Sequence, residues 1–318
     1  MQDAADSLAI GDFRVLRLGF GAMRLTGPGT WGQPSNRSEA LTVLRRAIGL
    51  GVNLIDTADA YGPGTSERLI AEALHPYPDD LVIATKGGRT RQGPYQWGTD
   101  CRPMSLRRAC EMSLRRLRIE QIGLYQLHTV DARVPVEESI GVLAELQAEG
   151  KVRHIGVCNV NLEQLSRARS VASIVSVQNS YSLADRTWEA VVEVCERDQV
   201  AFLPWTPLSG GSLAGRLSRL GRVASAHGVT SAQVALAWLL QRSPVMLPIP
   251  GTASPRHLEE NVGARSLRLT EDEMDALEHY RPSAVASRRR RLRHAVRPVA
   301  VPVVASLLAL RSRAMRDH

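Results

Sequence analysis

Along the first 280 residues, short apolar runs alternate with stretches whose apolar positions recur every three or four residues, the marks of strands and amphipathic helices in turn. Eight runs read as buried strands: 17–22, 52–57, 81–86, 122–128, 153–158, 174–179, 201–206 and 245–250. Helices lie between them. Ser38–Leu50 carries Leu41, Leu44 and Ile48 on one face, and Val136–Glu149 turns Ile140, Leu143 and Leu146 inward. Gly51 and Gly150 stop these two, because glycine takes the left-handed position after a helix without strain. The alternation predicts an α/β fold with a closed parallel sheet, a (β/α)8 TIM barrel, and Ala9–Leu18 predicts an N-terminal β-hairpin across its floor. The 318 residues accommodate one barrel domain, 8–280, and a C-terminal extension, 281–318, since such barrels commonly run to about 250 residues.

Charge separates these two parts. The net charge is +8, but residues 281–318 hold ten Arg and one Asp, which leaves 30 basic against 31 acidic residues in 1–280. The body is near neutral and the basicity belongs to the extension, so no nucleic-acid partner is expected for the barrel. Cys101, Cys110, Cys158 and Cys195 show neither Cys-x-x-Cys pairing nor a His at metal-ligand spacing, so neither a disulfide frame nor a metal site is expected. The acidic start, Met1-Gln2-Asp3, has no apolar stretch behind a basic segment, and a cytoplasmic location follows.

An open dinucleotide-binding sheet is the competing architecture, and it needs Gly-x-Gly-x-x-Gly after its first strand. Here Gly19-Phe20-Gly21-Ala22-Met23-Arg24 puts Arg at the third glycine. A barrel holds phosphate differently, with loops after its last strands and a helix N-terminus. Ile249-Pro250-Gly251-Thr252-Ala253-Ser254-Pro255 fits that use, with Ser254 as the cap and Pro255 at the first helical position.

Candidate chemistry gathers at three strand ends. Asp56 and Tyr61 follow the second run, Lys86 ends the third and His128 ends the fourth. Singly, each has an ordinary reading as packing or a buried ion pair. On a barrel the C-terminal strand ends share one mouth, so together they read as a catalytic set. The chain's 40 basic residues include only two Lys, 86 and 151, so position 86 calls for an ammonium. A phenol titrates near 10, and a neighbouring cation stabilises its phenolate, which would make Tyr61 a proton donor tuned by Lys86. Asp56 would hold Lys86, and His128 would polarise a carbonyl oxygen. None of these groups can deliver a hydride, so a cofactor must, and a nicotinamide is the obvious choice.

These four residues, within Gly51-Val52-Asn53-Leu54-Ile55-Asp56-Thr57-Ala58-Asp59-Ala60-Tyr61-Gly62, and the segment Gly150-Lys151-Val152-Arg153-His154-Ile155-Gly156-Val157-Cys158-Asn159 resemble the tetrad and strand signatures of the aldo-keto reductases over residues 10–280. The resemblance implies a (β/α)8 barrel, NADPH as hydride donor, no metal, and reduction of an aldehyde or ketone. It also implies that Cys158, Asn159 and Gln178 bracket the nicotinamide carboxamide, with Cys158 where Ser is usual, and that Trp205 stacks on the ring. Thr206 would also contact the cofactor, and Leu208, Ser209 and Gly211 would follow the pyrophosphate. Gly251, Thr252, Ser254, Arg256, Glu260 and Asn261 would take the adenosine end. Many relatives place Lys or Arg beside the ribose 2′-phosphate where this chain has Gly251, so that charge falls to Arg256, and NADH is the alternative donor.

Through Gly21-Ala22-Met23-Arg24-Leu25-Thr26-Gly27-Pro28-Gly29 and Val234-Ala235-Leu236-Ala237-Trp238, the chain looks most like the bacterial reductases near pyridoxal reductase. Substrate contacts are expected from the loops 26–35, with Trp31, and 87–103, with Tyr95 and Trp97, whose aromatic walls suit a flat carbonyl compound. Some proteins of this family bind NADPH as slow-turnover redox sensors, which is the alternative function. In the extension, Arg288–Arg291 precede a 13-residue apolar stretch, Pro298–Leu310, too short to span a bilayer; a solvated or loosely docked extension is expected, with contact to an anionic membrane surface as the alternative.

Overall fold

The structure, a computed structural model, describes residues 6–209 and 219–278. The chain opens with an antiparallel hairpin of β1 (Ser7–Ile10) and β2 (Phe13–Leu16). Its turn residue Gly11 has φ 60°, and a Cβ there would strike the His154 ring. Ile10 and Val15 are fully buried and join Leu54, Val82, Leu124, Ala201, Leu203 and Leu247 in one cluster, so the hairpin plugs the barrel floor.

The barrel strands are β3 (Phe20–Gly21), β4 (Leu54–Asp56), β5 (Val82–Gly87), β8 (Ile122–Leu127), β9 (Val152–Cys158), β10 (Ile174–Gln178) and β11 (Ala201–Phe202). They pair in parallel in that order. Between β5 and β8 the chain forms a second hairpin of β6 (Arg89–Gly93) and β7 (Gln96–Thr99). The eighth run, 245–250, forms only a parallel bridge from Met246 to Phe202 rather than a ladder. Its prolines are the reason, since Pro248 and Pro250 have no N–H to donate. Their carbonyls still accept, from Gly19 N at 3.0 Å and Gly21 N at 3.3 Å, while Leu247 N donates to Phe202 O at 2.9 Å. The cylinder is thereby closed on both sides of this segment.

Helices α1 (Arg37–Gly49), α2 (Thr65–Leu74), α3 (Pro103–Leu117), α4 (Val136–Ala148), α5 (Leu162–Arg169) and α6 (Glu189–Arg197) follow their strands, with α7 (Arg219–Ala226), α8 (Ser231–Arg242), α9 (Pro255–Gly263) and α10 (Glu271–Glu278) completing the shell. In α1 the buried stripe is Ala40, Val43, Leu44 and Ala47, and the expected Leu41 and Ile48 are only half-buried. Two alanines allow close approach on that side and leave the bulkier residues at the margin. In α4, Ile140, Leu143 and Leu146 are buried as expected. Gly51 and Gly150 stand at φ 83° and 76° just beyond these helices. Among the described residues no single helix is long and apolar enough to cross a membrane. The expected extension 281–318, with its arginines and apolar stretch, lies outside the described residues.

Candidate active site

Parallel strands deliver their last residues to one rim, and that is where Asp56, Lys86, Cys158 and Gln178 stand, at or near the ends of β4, β5, β9 and β10, with His128 just past β8. Lys86 is fully buried, and its Nζ donates to Asp56 Oδ2 at 2.7 Å and to Thr57 O at 2.8 Å. Burial alone would push the ammonium down in pKa, but Asp56 and the Tyr61 phenol hold it above its ordinary value.

Tyr61 comes from the loop between β4 and α2, which is tied back to the barrel. Asp59 N donates to Lys86 O at 3.3 Å, Gly64 N to Asp59 O at 2.7 Å, and Thr57 Oγ1 to Ser66 Oγ at 2.8 Å. Gly62 sits at φ 66°, and a Cβ there would fall 2.8 Å from Gly32 O, so no side chain fits at this turn. The loop brings the Tyr61 ring to 5.3 Å from Lys86 Nζ and sets it edge-on to the His128 ring at 5.9 Å. Burial pushes the phenol up to about 12, against the downward pull of Lys86. The expectation that Lys86 leaves Tyr61 more acidic than a free phenol is therefore corrected, because desolvation of the phenolate outweighs the neighbouring cation. His128 is held well below the usual imidazole range by burial first, then by Lys86 and Arg89. It is a neutral ring, and its Nδ1 is buried with no hydrogen-bond partner among the described residues.

The residues expected around a nicotinamide lie on the same rim. Gln178 Nε2 donates to Asp56 Oδ1 at 2.8 Å and to Gln126 Oε1 at 3.1 Å, which leaves its own Oε1 as the unused acceptor. Asn159, at φ 57°, donates from Nδ2 to His128 O and accepts from Trp205 Nε1 at 3.0 Å. Thr206 and Ser209 also have positive φ, 53° and 49°. Three non-glycine residues in the left-handed region along one rim are strain of the kind that collects at functional loops. Cys158 is buried beside the tetrad, with its thiol pushed up by burial. Leu208 is half-buried, and Gly211 lies outside the described residues.

At the far end, Ser254 caps α9 by accepting from His257 N, with Pro255 first in the helix. Thr252 and Asn261 are buried, and the exposed Arg256 pairs with Glu260 at 3.2 Å. Gly251 has no room for a side chain, since a Cβ would fall 2.5 Å from Gly21 O.

Of the three expected substrate aromatics, Trp97 meets Tyr61 and His128 edge-on at 6.5 and 6.4 Å. Trp31 is one step removed, 5.9 Å from the Arg91 guanidinium that stacks on Trp97 at 3.8 Å. Tyr95 is 66% exposed at the tip of the β6–β7 turn, packed beside Gly29, and does not reach the tetrad. Its place in a hairpin turn carries it outward. Sequence reasoning missed Gln126, whose polar side chain is buried between Gln178 and Ser176, and it missed Arg89 and Arg91. The alternation of Arg89 and Arg91 against Trp97 and Thr99 across a Gly-Pro turn was the signal for that hairpin.

The profile of the Aldo/keto reductase family matches residues 17–281. An uncharacterized oxidoreductase of Schizosaccharomyces pombe is 44% identical over 284 residues, 89% of this chain and 92% of that protein. Pyridoxine 4-dehydrogenase of Escherichia coli is 44% identical over 281 residues, 86% of this chain and 98% of that enzyme. Among solved structures, an aldo/keto reductase from Klebsiella pneumoniae in complex with NADP and acetate has a TM-score of 0.75 at 29% identity, covering 88% of this chain and 96% of that one.

Proposed function

Because the chain belongs to the aldo/keto reductase family, we propose that it reduces an aldehyde or ketone to the alcohol with NADPH, Tyr61 giving the proton. The observation that carries this reading is the buried Lys86 ammonium, clamped by Asp56 at 2.7 Å and placed 5.3 Å from the Tyr61 ring. An ammonium held there favours the phenolate that forms as the proton leaves, while burial keeps the proton on Tyr61 until a developing alkoxide takes it.

His128, neutral through burial, can donate one ring N–H to the carbonyl oxygen without adding a second cation to the pocket. The residues fit a nicotinamide dinucleotide. Gln178 keeps an unused acceptor for a carboxamide N–H, the Trp205 indole is fixed by Asn159, and the capped N-terminus of α9 beside side-chain-free Gly251 suits a phosphate-bearing ribose. When bound, NADPH supplies the hydride. Asp56, itself held by Gln178, keeps Lys86 in place, and Tyr61 with His128 orients the carbonyl.

The NADP held by the Klebsiella relative supports NADPH, with NADH as the second candidate. The Escherichia coli relative, with Trp97 against the tetrad, supports a ring-bearing aldehyde as substrate. Four unpaired buried thiols favour a reducing, cytoplasmic setting. We assign the barrel to residues 8–280 and read 281–318 as a separate, solvated extension; liposome co-sedimentation with and without residues 284–318 tests the alternative, contact with an anionic membrane surface.

The decisive experiment is steady-state NADPH oxidation with pyridoxal and aromatic aldehydes by the protein and Tyr61→Phe. Turnover lost by roughly a hundredfold or more in the variant, with NADPH still bound, is the expected result. Wild-type turnover below about one per hour, against enzyme values of about 1 per second or more, would favour the redox sensor instead.

A further inference from the structure

The β6–β7 hairpin turns one face to the tetrad, and that face is cationic. Residues opposite one another in an antiparallel pair share a face, and the register sets Arg89 against Thr99 and Arg91 against Trp97. Trp97 identifies the face, because its ring meets both Tyr61 and His128. Arg89, three residues beyond Lys86, therefore looks toward the same mouth, close enough for its charge to act on His128 and to feel Tyr61 and Cys158.

Both guanidiniums are half-buried. Arg91 packs over the Trp97 ring at 3.8 Å, anchored through Nη2 to Gly29 O and Gly93 O, with Nε and Nη1 buried and without a partner among the described residues. Among the described residues Arg89 has no hydrogen-bond or ion-pair partner for its guanidinium. Asp100, next to Arg89's strand partner Thr99, is taken by Arg102 at 2.6 Å, and Asp131 by Arg133 at 2.8 Å. A partly desolvated cation without a counter-ion is costly unless an anion comes to it, and guanidinium matches carboxylate and phosphate in geometry.

We infer that Arg89, backed by Arg91, is a specificity residue that binds an anionic group, carboxylate or phosphate, carried by the carbonyl substrate on the side away from the reacting carbon. The inference rests on the reductase reading and narrows it to acidic aldehydes or ketones.

The test pairs 4-carboxybenzaldehyde and 4-formylphenyl phosphate with neutral 4-methylbenzaldehyde, using the full chain, Arg89→Gln and Arg89→Lys. KM is measured by NADPH oxidation, and Kd independently by quenching of tryptophan fluorescence. For the wild type, Kd and KM are expected to be lower for an acidic aldehyde than for the neutral one. Arg89→Gln should raise them roughly tenfold or more for the acidic compound, leave the neutral one within about twofold, and leave NADPH affinity unchanged. Arg89→Lys should recover part of the preference. The preferred anion, carboxylate or phosphate, is read from the same comparison. Equal losses for acidic and neutral aldehydes, no acid preference in the wild type, or a loss of NADPH affinity instead would each overturn the inference. Acid-selective quenching that disappears in Arg89→Gln, without turnover of any aldehyde, would support the anion site and sink the reductase reading.

Discussion

The amide of Gln178 donates at 2.8 Å to Asp56 Oδ1, the carboxylate oxygen that Lys86 does not take. Only closure of the barrel brings these residues together, since β4 and β10 are far apart in sequence and stand apart in the sheet order. Gln178 thus fixes the carboxylate that fixes the ammonium. Gln178→Leu keeps the bulk and removes the donor, and a bond to a charged group is worth about 1.5–3 kcal/mol. The expected fall in kcat is roughly tenfold to a hundredfold with the fold intact. An unchanged kcat in stopped-flow and steady-state assays would mean that Asp56 needs no second donor.

The Lys86–Asp56 pair is buried on both sides, at 0% and 4% side-chain exposure. Removing one partner of such a pair costs about 3–5 kcal/mol, because the other charge is left without compensation. Lys86→Met is expected to destabilise by that order in urea unfolding. Adding Asp56→Asn should recover most of the stability and none of the activity. A double variant as unstable as the single would assign the loss to packing around Lys86 rather than to the orphaned carboxylate.

The pH dependence follows from Tyr61 and His128. The folded-state phenol, pushed up by burial to about 12, binds its proton more tightly than the unfolded one near 10. Reduction, which needs that proton, should stay level from neutral pH to about 10, and alcohol oxidation, which needs the phenolate, should rise with pH over the same range. His128 moves the other way, its folded pKa lying below the unfolded value of about 6.5. The unfolded state takes up the proton first, so this group erodes stability as pH falls below about 6.5. Rate profiles and unfolding midpoints across pH 5–10 check both, and a reduction rate that falls with an apparent pKa near 8 would contradict the burial argument.

Much of this architecture was legible because barrel strands are buried on both faces and read as plain apolar runs, and because a polar residue at the end of such a run has few structural uses. Asp56, Lys86 and His128 were found that way. Strand lengths were not, since Pro204, Pro248 and Pro250 sit inside apolar runs and deny the ladder its donors. The sign of the Tyr61 shift was also out of reach, because it depends on how completely the loop from Thr57 to Gly64 seals the ring, a tertiary property. Gln126 illustrates the same limit. A polar residue in an apolar strand signals a partner, but Gln178 and Ser176 are named only by the register of β8 and β9 with β10.

The cofactor's phosphate offers a last prediction. Position 251 cannot carry the cation that the family resemblance would put there, because any Cβ would fall 2.5 Å from Gly21 O, a backbone atom that cannot move aside. The charge must come from a neighbour, and Arg256 in the first turn of α9 is the candidate. Its side chain is 78% exposed and only loosely paired with Glu260 at 3.2 Å, so it is free to swing to a 2′-phosphate. An exposed cation meeting a dianion is worth a modest, salt-sensitive amount. Arg256→Ala is therefore expected to weaken NADPH roughly tenfold at low ionic strength, less at high salt, and NADH hardly at all. Dissociation constants from nicotinamide fluorescence at two salt concentrations measure this, and equal losses for the two nucleotides would remove Arg256 from the phosphate site.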